Sequence, residues 1–193
     1  MHVDLRACVA DFRQGPREPL PQVAFAGRSN VGKSSLLNAV FGRKLAKVSK
    51  TPGKTKTLNY FLVNGRCFFV DLPGYGFAAV DKSQRQAWGE HVTEYILKEE
   101  RLRLVVALVD PRVPTSPLDQ ALLQLCYHAA KPVLVVLTKA DALPRHALVQ
   151  ERARVQRDLH LSEPPLIFSA KSGEGKRELV QQIARRVQTP LFG

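Results

Sequence analysis

The stretch that decides the fold is Gly27 to Ser34, which reads Gly-Arg-Ser-Asn-Val-Gly-Lys-Ser. Four residues separate its two glycines, and Lys-Ser follows the second glycine, which is the phosphate-binding loop pattern. An apolar run, Val23 to Ala26, precedes the stretch, and a helix-like run, Ser34 to Val40, follows it. The pattern requires this context of strand, loop and helix. We therefore predict a P-loop whose backbone N–H groups and helix N-terminus bind phosphate.

The residues of this loop have distinct expected roles. Lys33 would reach the β- and γ-phosphates, and the Ser34 hydroxyl would ligate Mg²⁺. The whole loop is expected to contact the nucleotide, through Gly27, Arg28, Ser29, Asn30, Val31, Gly32, Lys33 and Ser34. The alternative is a glycine-rich turn that matches by chance, which we expect in about one in a hundred chains of this length.

Composition indicates a single domain with a polyanionic partner. The 193 residues can bury a sizeable core, and 29 Lys and Arg against 17 Asp and Glu give a net charge of +12. This surplus favours nucleic acid as a partner, and a general solubility charge is the alternative. Three cysteines without paired spacing indicate neither disulfides nor a zinc site, which fits a reducing cytosol. No apolar run approaches the ~18 residues of a membrane span, so we expect a soluble protein.

Turn signals and apolar runs predict alternating strands and helices. Asn64-Gly65 would join two antiparallel strands, Leu58 to Val63 and Cys67 to Asp71. The continuous apolar run Leu104 to Val109 indicates a strand buried on both faces, as in a parallel sheet between helices. The other predicted strands cover 3–9, 133–138 and 166–169, and the predicted helices cover 83–98, 116–129, 144–159 and 176–187.

These elements predict an α/β fold of the P-loop NTPase class. It would be a three-layer, doubly wound, mostly parallel sheet with one antiparallel strand, similar to a small GTPase. In such a sheet the ligand binds at the carboxyl ends of the strands.

A second candidate phosphate contact follows the predicted hairpin. Asp71 ends a strand and opens the run Asp71-Leu72-Pro73-Gly74, all of which we expect at the nucleotide. The Asp71 carboxylate can bind Mg²⁺ through water, and the Gly74 N–H can meet the γ-phosphate. A plain turn is the alternative, although the position after the P-loop and the hairpin favours the nucleotide site.

The run Thr138-Lys139-Ala140-Asp141, at the end of a predicted strand, would select the base. The Asp141 carboxylate can accept from guanine N1–H and the 2-amino group, whereas adenine presents an acceptor at N1 and has no 2-amino group. The Lys139 stem would lie along the base, and Phe168, Ser169 and Ala170 would hold it from the other side with a backbone N–H to guanine O6. The pattern thus predicts GTP or GDP as the ligand. The alternative is that Asp141 caps the following helix.

Together, these ordered motifs resemble those of translation-factor-like GTPases, and in detail those of the EngB family. The resemblance rests on residues 27–38, 50–55, 71–76 and 138–141, and covers residues 21–187. The family comprises bacterial GTPases involved in large ribosomal subunit assembly, with a reported link to cell division and septation. The resemblance implies an N-terminal extension over 1–20 and a GTPase domain over 21–193. It also implies a cytoplasmic, monomeric GTP-hydrolysing protein whose partner is the large subunit or its rRNA, without DNA specificity.

The resemblance further assigns roles around the P-loop. Thr55 would be the switch I threonine, which ligates Mg²⁺ together with Ser34 when GTP is bound. Switch II would span Gly74 to Phe77, and the catalytic residues would be Lys33, Thr55 and Gly74. The remaining nucleotide contacts of switch I would be Gly53, Lys54, Lys56 and Thr57.

Two positions depart from the better-known Ras-like pattern. Thr138 stands where many GTPases have Asn, which exchanges one amide contact to the base for a hydroxyl. Tyr75 follows Gly74, where Ras-like proteins have the glutamine that orients the attacking water. We therefore expect slow intrinsic hydrolysis, with the missing function supplied by a partner, a cation or another residue. Asn30 lies where related GTPases bind K⁺, which makes K⁺ a candidate cofactor, and stabilisation of the loop is the alternative.

The stretch from Arg43 to Thr57 is strongly basic and contains no acidic residue. We predict an exposed, mobile loop that binds rRNA phosphates. The alternative is that its lysines are solvated and that the RNA-binding face lies on Arg152, Arg154 and Arg157 or on Arg185 and Arg186. Two other functions remain open: a P-loop phosphotransferase, which would leave Asp141 unexplained, and a module that binds nucleotide without hydrolysing it.

Overall fold

The computed structural model describes residues 1–46, 57–76 and 82–188, and for residues 82–88 it describes the backbone alone. In these ranges one seven-stranded sheet is flanked by five α-helices. The strands are β1 (Val3–Val9), β2 (Gln22–Gly27), β3 (Leu58–Val63), β4 (Cys67–Asp71), β5 (Leu102–Val109), β6 (Val133–Leu137) and β7 (Leu166–Ile167). The helices are α1 (Lys33–Phe41), α2 (Lys82–Lys98), α3 (Pro117–His128), α4 (Arg145–Asp158) and α5 (Lys176–Val187).

The sheet is mostly parallel, in the strand order β1-β3-β4-β2-β5-β6-β7. Among the described strands, only β3 runs antiparallel to both of its neighbours, β1 and β4. The hairpin forms at the predicted residues because Asn64 and Gly65 both adopt the positive φ angles, 50° and 64°, that a tight turn between two strands needs. The predicted α/β fold, with a mostly parallel sheet and one antiparallel strand, is confirmed.

Helices cover both faces of the sheet. α1 and α5 pack on one face, where Phe41 contacts Phe61 and Phe69 at ring-centroid distances of 5.1 and 6.1 Å. α2, α3 and α4 pack on the other face, around fully buried side chains such as Tyr95. Because helices lie on both sides, the central strands are apolar at successive positions instead of alternating with polar residues.

The N-terminal segment is part of the sheet. β1 pairs with β3 and forms one edge of the sheet, which confirms the predicted short strand. The chain that follows is held against the start of β5, where Arg101 donates to the carbonyl oxygens of Pro16 at 2.8 Å and Glu18 at 2.9 Å. The division of the chain at residue 20 stays a prediction.

The loop after α1 differs in part from the prediction. The Asn38 side chain accepts from the N–H groups of Leu45 and Ala46 and donates to the Ala46 carbonyl oxygen, each at 2.8 Å. Ala46 is buried as a result, so the prediction of an exposed loop from Arg43 onward is wrong at this residue. The lysine-rich remainder, residues 47–56, lies outside the described residues. No helix in the described ranges is long and apolar enough to cross a membrane.

Candidate functional site

The predicted P-loop lies at the carboxyl ends of the parallel strands. β2 ends at Gly27 and α1 begins at Lys33. Between them, Gly32 adopts a φ of 104° and Asn30 a φ of 61°, both in the left-handed region. A side chain at Gly32 would strain this conformation, so glycine is needed where the loop turns into the helix.

The N-terminus of α1 is suited to bind an anion. Its N-cap, Gly32, has no side chain to accept a hydrogen bond, and the bond from Leu36 N to Gly32 O, 2.9 Å long, opens the helix. The N–H groups of Lys33, Ser34 and Ser35 therefore have no acceptor within the helix. A phosphate group would satisfy them, and the helix dipole would add to the attraction.

The P-loop lysine contacts the aspartate that ends β4. Lys33 Nζ and Asp71 Oδ1 form an ion pair, and the two side chains are only 10% and 6% exposed. The fold thus brings together two residues that the sequence predicts at the phosphates and at Mg²⁺.

The donor set fits an ion that protein and nucleotide hold jointly. The Asp71 carboxylate and the Ser34 hydroxyl are oxygen ligands, which Mg²⁺ prefers, and Mg²⁺ usually takes few protein ligands beside phosphate and water. In the described part of the chain, no three His, Cys, Asp or Glu side chains group closely enough to hold a metal ion by themselves.

The segment after Asp71 lies against the P-loop backbone. Tyr75 N donates to Gly27 O at 3.2 Å, and Ser29 N donates to Tyr75 O at 2.9 Å. Gly74 lies next to these bonds, and a Cβ atom on it would come within 3.0 Å of Ser29 Cα. Glycine therefore permits this close approach. Gly74, predicted as part of switch II, therefore lies beside the P-loop, and its contact with the γ-phosphate stays a prediction.

The Tyr75 side chain is directed at α3. Its hydroxyl donates to Asp119 Oδ1 at 2.8 Å, and Asp119 Oδ2 accepts from the N–H and hydroxyl of Ser116 at 2.8 and 2.9 Å. Burial raises the pKa of Tyr75 well above its usual value, and the Asp119 carboxylate adds to the rise. The tyrosine that replaces the Ras-like glutamine thus uses its hydroxyl in a structural hydrogen bond. Asp119 was missed by sequence reasoning, because its partner lies 44 positions away.

Asp110, which sequence reasoning also missed, holds the lysine of the predicted base motif. Lys139 Nζ donates to Asp110 Oδ2 at 2.9 Å and to the Asn30 carbonyl oxygen at 2.7 Å. Burial alone would raise the pKa of Asp110, but hydrogen bonds from Arg112 and Lys139 outweigh burial and lower the pKa to about 2. A carboxylate directly after β5, the strand beside β2, was the sequence signal that could have identified it.

Thr138 ties the end of β6 to the P-loop. Its side chain is buried, and its hydroxyl donates to Val31 O at 2.6 Å. A hydroxyl has a single hydrogen, and Thr138 uses it on the loop backbone. In this arrangement the hydroxyl stabilises the loop, and the expected contact of Thr138 with the base stays a prediction.

Asp141 and Ser169 meet at the ends of two neighbouring strands. Ser169 Oγ donates to Asp141 Oδ1 at 2.5 Å, and this bond is the main cause of the lowered pKa of Asp141. Ser169 Oγ in turn accepts from the N–H groups of Lys171 and Ser172 at 3.2 and 3.1 Å. No acceptor in the described chain takes the Ala170 N–H, which can therefore donate to a base oxygen.

The other residues predicted to contact the nucleotide are buried, half-buried or outside the described residues. Leu72, Pro73, Ala140 and Phe168 are buried, so only their backbones can reach a ligand. Thr57 is half-buried, and its hydroxyl donates to Asn59 Oδ1 at 3.1 Å. The predicted switch I residues Gly53, Lys54, Thr55 and Lys56, and Phe77 of switch II, lie outside the described residues. Their roles, including the second predicted Mg²⁺ ligand Thr55, stay predictions.

Comparison with known proteins finds relatives that span nearly the whole chain. Residues 22–139 match the family described as 50S ribosome-binding GTPase. A probable GTP-binding protein EngB of Syntrophomonas wolfei is 46% identical over 182 residues, which are 94% of this chain and 94% of that protein.

Solved structures show the same fold. A probable GTP-binding protein engB superposes with a TM-score of 0.73 at 23% identity, over 86% of this chain and 98% of that one. Era in complex with MgGDPNP and nucleotides 1506–1542 of 16S ribosomal RNA superposes with a TM-score of 0.70 at 25% identity, over 86% of this chain and 56% of the Era chain.

Proposed function

The chain belongs to the EngB family of GTP-binding proteins and is a GTPase of the ribosome-binding type, and from this we propose that it is a nucleotide-controlled switch that assists assembly of the large ribosomal subunit. The observation that supports the site is the ion pair between Lys33 and Asp71 at the P-loop, whose Asn30 carbonyl oxygen accepts from Lys139. Asp141 follows Lys139 by two residues at the end of β6. Membership of this family removes the small-molecule phosphotransferase that the P-loop alone left open.

Phosphate binding would begin with an exchange of partners at the P-loop. Lys33 is neutralised by Asp71 in the structure, and a bound β- or γ-phosphate would take over the lysine. The freed Asp71 carboxylate would then act through water on the metal side of the phosphates. When bound, Mg²⁺ would supply positive charge to the phosphate oxygens, with Ser34 and Thr55 as its protein ligands.

Selection of guanine would rest on Asp141. The hydrogen bond from Ser169 favours the ionised carboxylate, so Asp141 would accept from guanine N1–H and the 2-amino group at neutral pH. The Ala170 N–H would donate to guanine O6, and the Lys139 stem would lie along the ring. ATP would leave the Asp141 carboxylate without these donors, which is strongly unfavourable.

Intrinsic hydrolysis is expected to be slow. The Gly74 N–H is the candidate donor to the γ-phosphate, but the Tyr75 hydroxyl is engaged with Asp119 and cannot orient a water as glutamine does. The missing contribution would come from the ribosomal partner or from K⁺ bound near Asn30. The protein would therefore hydrolyse GTP mainly while it is bound to the ribosomal particle.

The ribosomal partner is supported by the family description and by the charge of the chain. The net charge of +12 suits a particle rich in rRNA phosphate. We further propose that the protein acts in the cytoplasm as a monomer and that it is linked to cell division and septation.

Co-sedimentation tests the proposal directly. The full chain, loaded with GDP or with a non-hydrolysable GTP analogue, is centrifuged with purified large ribosomal subunits, and small subunits serve as the control particle. We expect the chain to bind large subunits more tightly in the GTP-like state than in the GDP state. Equal binding to both subunits, or none to the large one, would contradict the proposed function.

A further inference from the structure

The ends of α1 and α5 carry a cluster of basic side chains. Arg43 and Lys44 follow α1 directly, and Arg185 and Arg186 lie in the last turn of α5. We call these four residues the α1–α5 basic end. The two helices contact each other, and their last residues, Phe41 and Val187, belong to one hydrophobic core cluster.

The α1–α5 basic end lies opposite the nucleotide site. α1 starts at the P-loop, and α5 starts after the Ser169 loop, so both helices begin at the carboxyl ends of the parallel strands. Both then run back along the sheet towards the amino ends of those strands. The nine residues of α1 alone separate the two sites by about 13 Å. We therefore expect the basic end to be unchanged by the nucleotide state.

The charges at this end are available to a partner. Lys44, Arg185 and Arg186 are exposed, and among the described residues no carboxylate lies within 4.0 Å of their charged groups. Arg43 reaches Asp4 only at 4.0 Å, and both side chains are about half exposed, at 49% and 46%. Such a surface pair holds its members weakly.

Two of the three arginines that the sequence offered on α4, Arg152 and Arg154, are in contrast used within the fold. Arg154 binds Glu151 at 2.6 Å and Asp158 at 3.0 Å, and also donates to the Val113 carbonyl oxygen at 3.1 Å. Arg152 donates to the Pro165 carbonyl oxygen at 2.7 Å. Of the two arginine groups that the sequence offered as an RNA-binding face, the structure therefore favours the pair on α5.

The chemistry of the basic end suits phosphate rather than a protein surface. Arginine presents a planar fork of donors that binds phosphate oxygens in pairs. Protein interfaces usually centre on buried apolar or aromatic anchors. Within the described residues, no exposed large apolar side chain lies on α1 or α5, where such an anchor would have to be.

We propose that the α1–α5 basic end binds RNA backbone phosphates in both nucleotide states. The inference rests on the proposed ribosomal function and names the surface through which the chain contacts RNA. This surface would hold the protein on its target, while the switch regions would make part of the affinity depend on nucleotide.

A salt titration with two matched double variants tests the inference. R185Q/R186Q removes two charges from the basic end, whereas R157Q/R177Q removes two exposed charges elsewhere that also lack a described carboxylate within 4.0 Å. Binding of each full chain to large subunits and to a short RNA duplex is measured over a range of salt concentrations, with GDP and with a GTP analogue. Affinity for RNA falls as salt rises, so the plot of log affinity against log salt has a negative slope. We expect R185Q/R186Q to make this slope shallower by about one to two units with either nucleotide, because each lost phosphate contact removes about one unit.

Other readouts separate RNA binding from helix stability. Cations in the last turn also stabilise a helix through its dipole, so R185K/R186K, which keeps both charges, is expected to retain most of the salt slope. GDP affinity should be unchanged in all variants. An unchanged slope in R185Q/R186Q, or an equal loss in R157Q/R177Q, would overturn the inference while leaving the proposed function intact. A native chain that binds the RNA duplex but not large subunits would instead contradict the proposed function alone.

Discussion

Replacement of Tyr75 by Phe separates a structural from a catalytic role for this residue. The change deletes one hydroxyl, whose hydrogen bond to Asp119 is 2.8 Å long. Tyr75 is 9% exposed and Asp119 is 3% exposed, so water cannot readily replace the lost donor. A hydrogen bond to a charged group contributes about 1.5–3 kcal/mol, and we expect Y75F to lower the free energy of unfolding by about 2 kcal/mol. For a chain of this size that corresponds to a fall in Tm of about 4–8 °C.

The same variant should retain GTP hydrolysis. A hydroxyl that transferred a proton from the attacking water would contribute about 10²–10⁴-fold to the rate, whereas the Tyr75 hydroxyl is engaged with α3. Thermal unfolding is followed by circular dichroism, and hydrolysis by phosphate release over multiple turnovers. Y127F is the matched control, because Tyr127 is 59% exposed and should tolerate the change without effect. A Y75F protein as stable as the native chain, or a folded one that has lost about a hundredfold or more in rate, would refute this reasoning.

Four further variants test the candidate site. Asp141→Asn should weaken GTP binding and favour xanthine nucleotides, because an amide can donate to the second carbonyl of xanthine. Competition titrations in which the native chain binds ATP and GTP equally would contradict the assignment of Asp141 to guanine selection. Lys33→Ala should lose affinity for GDP and GTP alike, whereas Thr55→Ala should harm only the GTP state; calorimetry showing equal damage to GDP binding would remove Thr55 from switch I. Asp110→Asn should destabilise the chain near neutral pH by about 2 kcal/mol, because the folded-state pKa of about 2 lies below the unfolded value of 3.8. In the native chain that stability is present above pH 3.8 and is lost as pH falls towards 2. The free energy of unfolding in urea should therefore depend less on pH in this window for the variant than for the native chain. The same pH dependence in both would contradict the ion pairs of Asp110 with Arg112 and Lys139.

The sequence by itself determined the elements whose causes lie within a few residues. The P-loop follows from the glycine spacing between an apolar run and a helix, and the β3–β4 hairpin follows from Asn64-Gly65, so both form where predicted. The start of α3 is local too, since the Ser116 hydroxyl accepts from the N–H of Asp119 within one helical turn. The family resemblance belongs to this group, because it rests on short ordered motifs that can be recognised without coordinates.

Only the tertiary structure decided which distant side chains meet. Tyr75 and Asp119 are 44 positions apart, and Lys139 and Asp110 are 29 apart, so no local pattern links them. The order of the strands creates these contacts, because it sets β5 beside the P-loop strand and places the start of α3 beside the segment that follows β4. The same applies to the arginines of α4 and α5, which look equivalent in the sequence. Their partners differ because Arg152 and Arg154 of α4 lie beside backbone carbonyls and carboxylates, whereas α5 ends where the described chain offers Arg185 and Arg186 no nearby carboxylate.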